Sequence, residues 1–112
     1  IGPYSQAVEV NGMVFISGQT PMDPATGQLV PGGVKEQAQQ CFKNIKAILT
    51  EAGLTTDNIV KTTVFLGDMS YFADMNEVYA QQFEGTFPAR SAIAAKGLPL
   101  NCMVEIELIA MR

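Results

Sequence analysis

Histidine is absent from this 112-residue chain, and lysine and arginine together number seven against eleven aspartates and glutamates. Each shortage removes a class of function. Without histidine, acid–base chemistry must fall to Glu, Asp, Tyr or Lys, and Ser17 has no imidazole to make it a nucleophile. The two cysteines, Cys41 and Cys102, are isolated, with no CxxC spacing. A tetrahedral metal site cannot be assembled from them, and they read as reduced, buried or half-buried thiols of a cytoplasmic protein. The formal net charge is −4 and no basic run is present, so the electrostatic footprint of nucleic-acid binding is missing. No stretch is apolar enough and long enough to span a membrane, and no charged-then-apolar signal leads the chain. The first residue is Ile1 rather than methionine, and a short leader is expected to be missing.

What the chain does have is apolar content. Hydrophobic residues make up 47% of it and charged residues only 16%. Residues 1–112 are long enough for one domain with a real core and too short for two. The surplus of apolar residues over what such a core needs points to burial between subunits.

The hydrophobic spacing gives an order of ββ-α-β-α-ββ. Ala7 to Val10 reads as a strand, Asn11-Gly12 as a two-residue hairpin turn, and Met13 to Gly18 as a strand buried on both faces. Pro21 to Gly33, with three prolines and three glycines, reads as a loop. Val34 to Ala52 is the clearest helix, with Val34, Ala38, Cys41, Ile45, Ile48, Leu49 and Ala52 at three-to-four spacing and Gly53 as its stop. Ile59 to Leu66 is β-branched and strand-like. Ser70 is the expected cap of a second helix reaching about Phe83, with Phe72, Met75, Tyr79 and Phe83 on one stripe. Arg90 to Ala95 and Met103 to Met111 complete the set. The expected fold class is α+β: a mixed sheet with two helices packed on one face. In the last strand, Val104, Ile106, Leu108 and Ala110 suit the helix-covered core. Met103, Glu105, Glu107, Ile109 and Met111 mix two carboxylates with large apolar groups, which fits a subunit interface better than a solvated face.

Few residues can carry chemistry. In Thr86-Phe87-Pro88-Ala89-Arg90-Ser91 a lone arginine follows a rigid proline turn. It reads either as a fixed bidentate fork for a carboxylate or as a surface salt bridge. Glu105 and Glu107 share one parity of a strand expected beside that of Arg90; either could be a general base positioning water or a paired interface carboxylate. Tyr4 could hydrogen-bond a ligand or pack at an edge. Ser17-Gly18 could bring backbone close to a ligand or simply end a strand. Asn76 sits off the apolar stripe of helix two, as a substrate hydrogen-bonder or a solvated side chain.

Taken together, Ile1-Gly2-Pro3-Tyr4-Ser5-Gln6-Ala7, Ile16-Ser17-Gly18-Gln19, Asn44-Ile45-Lys46-Ala47-Ile48-Leu49, Lys61-Thr62-Thr63-Val64-Phe65, Phe87-Pro88-Ala89-Arg90-Ser91 and Val104-Glu105-Ile106-Glu107 occur in an order and spacing that resembles the Rid family (reactive intermediate deaminases, also called the YjgF or translation-inhibitor family) over essentially the whole chain. The resemblance implies a chorismate-mutase-like fold assembled as a homotrimer, with ligand clefts that take residues from two chains. It implies cofactor-free hydrolysis of 2-enamino and 2-imino acids, released by pyridoxal-phosphate enzymes, to 2-keto acids and ammonium: detoxification of reactive intermediates in amino-acid metabolism. Arg90 matches the family's carboxylate-binding arginine and Glu105 its water-positioning glutamate. Tyr4 matches a further catalytic candidate, and Ser17, Gly18 and Asn76 match substrate-binding cleft positions. Ala92 stands where many members carry a cysteine, a position used mainly through its backbone. The run between Phe83 and Phe87 is shorter than in many members and borders the cleft. Two rival readings remain on the residues alone: a carboxylate-binding sensor without turnover, and an RNA-cleaving translation inhibitor, which the acidic charge and missing histidine disfavour.

Overall fold

A computed structural model describes residues 2–112; Ile1, the first residue of the N-terminal motif, lies outside them. The elements in chain order are β1 (Ala7–Val10), β2 (Met13–Gln19), β3 (Met22–Asp23), β4 (Gln28–Leu29), α1 (Val34–Glu51), β5 (Ile59–Leu66), α2 (Phe72–Gln81), β6 (Ala89–Ala94) and β7 (Val104–Met111). Five strands form one mixed sheet in the order β1-β2-β7-β5-β6, antiparallel except for the β5–β6 pair, which α2 connects as a parallel crossover. Asn11 and Gly12, at φ 51° and 81°, make the tight turn between β1 and β2, where the right-handed strand twist favours positive φ at both central residues.

Both helices cover the same face. The buried side of α1 carries Val34, Ala38, Cys41, Phe42, Ile45 and Leu49, and it meets Val104, Ile106, Leu108 and Ala110 of β7 in one core. Each large apolar side chain fully withdrawn from water there contributes about 1.5–3 kcal/mol. Glu36 reaches back to accept a hydrogen bond from the Gly33 N–H at 2.8 Å at the start of α1. Gly53, at φ 78°, turns the chain out at its end, and the Leu54 N–H donates to the Leu49 carbonyl at 2.8 Å. Cys41 and Cys102 are both buried and free.

Several expectations need correction. Pro21 to Gly33 is not wholly loop, because the Asp23 carboxylate accepts from the Ala25 N–H and turns β3 back onto β4. β2 is not buried on both faces: Val14 and Ile16 are, but Phe15 is 41% exposed, because no second layer covers its side of the sheet. Asp68, not Ser70, launches the second helix. Its side chain accepts from the Ser70 N–H at 2.8 Å, a 3₁₀ turn over Met69–Tyr71 follows, and α2 runs from Phe72 to Gln81 rather than to Phe83. The strand of Glu105 does not lie beside that of Arg90, since β5 runs between them.

The uncovered face has a definite character. Cross-strand pairing aligns Val8 with Phe15, Phe15 with Ile109, Met13 with Met111, and Phe65 with both Glu105 and Ile93. Val8, Val10, Phe15, Ile93 and Met111 on that face are 39–52% exposed, apolar surface that one chain alone leaves in water.

Candidate active site

The irregularity in β2 builds the carboxylate half of the site. Between the pairs Ile16–Leu108 and Gln19–Ile106, Ser17 and Gly18 together oppose the single residue Glu107, which is a β-bulge. The bulge brings Gly18 against Glu105: a Cβ on Gly18 would lie 2.7 Å from Glu105 Oε2 and 3.0 Å from its Cδ. Glycine is therefore required for the carboxylate to occupy its place. The Ser17 hydroxyl donates to the Ser5 carbonyl at 2.6 Å and the Ser17 N–H to the Gln6 carbonyl at 2.9 Å, tethering the segment that carries Tyr4. The Gln19 amide bridges Gln6 Oε1 at 3.0 Å and the Ser17 carbonyl at 2.9 Å. On the other side, Gln37 Oε1 of α1 accepts from the Met103 N–H at 2.8 Å and fixes the entry to β7.

Tyr4, Ser17, Gly18, Glu105 and Glu107 line one groove of about 940 Å³, which Leu100 also borders. Partial burial pushes the Glu105 carboxyl above its ordinary value, and the neighbouring Glu107 charge pushes it the same way. A raised carboxyl is a stronger base than a solvated one.

Arg90 lies elsewhere. It pairs with Thr62 of β5, whose side chain faces the helices, whereas Glu105 pairs with Phe65 on the open face. Two strands and three residues of register separate them, roughly 14 Å from Cα to Cα with the side chains on opposite faces. The Arg90 Nη1 donates to Asn76 Oδ1 at 2.6 Å. Its guanidinium carbon lies 4.7 Å from the centre of the Tyr79 ring and 5.5 Å from that of Phe72. Among the described residues the ion pairs are Lys35–Glu77 and Arg112–Glu9, so Arg90 is in none, and the surface salt bridge weighed for it is not formed. With one N–H committed to Asn76, the remaining donors of the fork are available to an anion. Ala92 is half-buried on the same face as Arg90, packed against the core.

One chain thus brings Tyr4, Ser17, Gly18 and Glu105 together, groups Arg90 with Asn76, and holds the two sets apart. The rings beside Arg90 were not anticipated as part of the site. Phe72, Asn76 and Tyr79 recur at four- and three-residue spacing, one face of a helix, and that spacing was the signal available. The run between Phe83 and Phe87 ends in a ring contact: Gly85, at φ 87°, turns the chain so that Phe87 meets Phe83 edge-on at 6.0 Å between centroids.

Comparison with known proteins places this geometry. A mouse protein named 2-iminobutanoate/2-iminopropanoate deaminase is 53% identical over 112 residues, all of this chain and 83% of that protein. The structure of YyfA, a Rid-family protein from Yersinia pestis, superposes with a TM-score of 0.96 at 48% identity, covering 100% of this chain and 90% of that one. Escherichia coli TdcF with bound serine superposes with a TM-score of 0.95 at 46% identity, covering 100% and 89%. The family model described as endoribonuclease L-PSP matches residues 1–112. A whole-chain match to that model, with close relatives along its full length, means that this chain belongs to the endoribonuclease L-PSP family, the YjgF/Rid family.

Proposed function

We propose that this protein hydrolyses 2-imino and 2-enamino acids to 2-keto acids and ammonium, at clefts that a neighbouring copy completes in a homotrimer of chorismate-mutase-like subunits. The observation that carries the reading is the whole-length similarity to the mouse deaminase. Two features support it: among the described residues Arg90 is paired with no carboxylate, and the partly desolvated Glu105 is paired with no cation. The apolar open face of the sheet supports the assembly. A second copy covering it would withdraw Val8, Phe15 and Met111 from water.

The chemistry asks for little. An enamine first takes a proton at C3 to become the iminium ion, the protonated form of the imine that water attacks. Arg90 clamps the substrate carboxylate and fixes C2. Glu105 removes a proton from water as the oxygen adds to C2, giving a tetrahedral carbinolamine. The protonated Glu105 then returns that proton to nitrogen, the C–N bond breaks, and the C2 hydroxyl gives its proton to the departing ammonia, leaving the 2-keto acid, ammonium and the Glu105 carboxylate. Tyr4 and Ser17 line the water's side of the groove, Asn76 steadies the fork, and the backbone at Ala92 lies next to it in β6. Holding the reacting groups in register supplies the rate, and no cofactor is required.

The direct test is 2-iminobutanoate freshly generated from threonine by a pyridoxal-phosphate dehydratase. The protein should accelerate loss of the imine and release of 2-oxobutanoate. Binding of 2-oxobutanoate with no acceleration would favour the sensor reading, to which the serine bound in TdcF lends some support. Gly18→Ala should lower turnover about 10- to 100-fold with little change in melting temperature. The new methyl displaces the flexible Glu105 carboxylate rather than backbone, and a misplacement near 1 Å is costly to catalysis.

The family description also names an endoribonuclease. The chain is ill-equipped for that: its net charge is −4, and two of its seven basic residues are already paired with carboxylates. A filter-binding assay with single-stranded RNA at physiological salt should show no retention above background. Retention that persists after further purification would reinstate the RNA reading.

A further inference from the structure

We propose that the aromatic face of Tyr79, with Phe72 beside it, is a positioning seat for the Arg90 guanidinium and sets the plane in which the fork meets its carboxylate. The proposal rests on the reading of Arg90 as the carboxylate clamp. Tyr79 looks at first like an ordinary core residue: it is 4% exposed and packs edge-on against Phe42 at 5.7 Å and tilted against Phe83 at 5.0 Å. Two facts set it apart. Its hydroxyl shares a 2.7 Å hydrogen bond with the fully buried Thr62, and Thr62 is the residue that pairs with Arg90 across β5 and β6. The ring is thus held at its tip by the strand next to Arg90 and along its edges by two phenylalanines, while the guanidinium carbon lies 4.7 Å from its centre.

Arginine is suited to such a seat, because a planar, weakly hydrated cation stacks on a π face while its N–H edge stays free for a carboxylate. Asn76 fixes the rotation of the fork by holding Nη1 at 2.6 Å, and the rings of Tyr79 and Phe72 fix its tilt. A long side chain at a strand edge would otherwise lose considerable rotamer freedom on gripping a ligand. A prepaid orientation lowers that loss.

Arg90 and Arg112 are the only arginines in the sequence, so the seat can be read directly by nitrogen-15 arginine NMR. In the parent, the Arg90 side-chain N–H protons should be shifted upfield by the ring current and those of Arg112 should not, with Arg90→Lys making the assignment. Tyr79→Leu should abolish the upfield shift and weaken 2-oxobutanoate binding about tenfold, within the roughly 2- to 30-fold that a cation–π contact supports. Tyr79→Phe keeps the ring and should retain both the shift and, within about threefold, the affinity. The seat is refuted by an unshifted Arg90 in the parent, by a folded Tyr79→Leu that binds as the parent does, or by Tyr79→Phe behaving like Tyr79→Leu. Should Tyr79→Leu not fold, Phe72→Leu decides: partial loss of the shift with weaker binding supports the seat, and no change in either refutes it. If the parent neither turns over imines nor binds the keto acid, the functional reading fails, and the seat stands or falls on the Arg90 shift alone.

Discussion

Arg90→Ala should lower kcat/KM for 2-iminobutanoate by roughly 10²- to 10³-fold while leaving the oligomer intact, since two charge-assisted hydrogen bonds to one carboxylate disappear together. The argument rests on the isolation of the side chain. Arg90 is in no ion pair among the described residues, so its removal uncovers no buried carboxylate and has little structural cost. Arg90→Lys should recover little, because an ammonium is a point charge that neither offers two parallel donors nor stacks on Tyr79 in the same way. The check is steady-state kinetics with light scattering on the same samples. Near-parental activity in Arg90→Lys would mean that the fork geometry is irrelevant.

Glu105→Gln should lower kcat by about 10²- to 10⁴-fold, the usual contribution of one positioned acid–base group, while 2-oxobutanoate still binds at Arg90. The amide is isosteric with the carboxylate, so the contact with Gly18 survives and only proton transfer is lost. Glu107 shares the face and the groove, but it stands opposite the bulge rather than against Gly18. Glu107→Gln should therefore keep most activity and alter the pH profile instead. Below its own pKa Glu105 is protonated and cannot accept a proton from water, so activity falls as pH drops through that value. The Glu107 charge helps to raise it. Removing that charge should shift the acid limb of kcat/KM towards lower pH. A dead Glu107→Gln beside an active Glu105→Gln would reverse the assignment.

How much of this was legible depends on the range of the interaction concerned. The Asn11-Gly12 turn, the three-to-four spacing through α1 and the alternation along β7 are local patterns, and each appears in the structure where the sequence puts it. Strand order is not local. Nothing in either segment announces that β7 inserts between β2 and β5, so Glu105 and Arg90 were expected on neighbouring strands and in fact face opposite sides of the sheet. Ser70 was a reasonable cap by residue type, but Asp68 two positions earlier has the stronger acceptor and takes the Ser70 N–H for itself. Tyr79 was read as core, which accounts for its burial but not for the cation over its ring. That contact depends on the parallel pairing of β5 with β6, which periodicity does not report. The grouping of Tyr4, Ser17, Gly18 and Glu105 came from the family resemblance. What the geometry adds is its physical basis, a bulge whose glycine leaves room for the Glu105 carboxylate and a serine that ties down the N-terminal segment.

The central claim is that one cleft draws Arg90 and Glu105 from different copies of the chain, and mixing two inactive variants tests it most directly. Arg90→Ala and Glu105→Gln chains, each nearly inert alone, would be unfolded together, reassembled in equal amounts and assayed with 2-iminobutanoate. In a ring where each cleft takes its arginine from one chain and its glutamate from the next, about one cleft in four has both residues intact, so about a quarter of parental turnover should return. A reassembled mixture no more active than its components would contradict the account, because it would place both residues of the working site on a single chain.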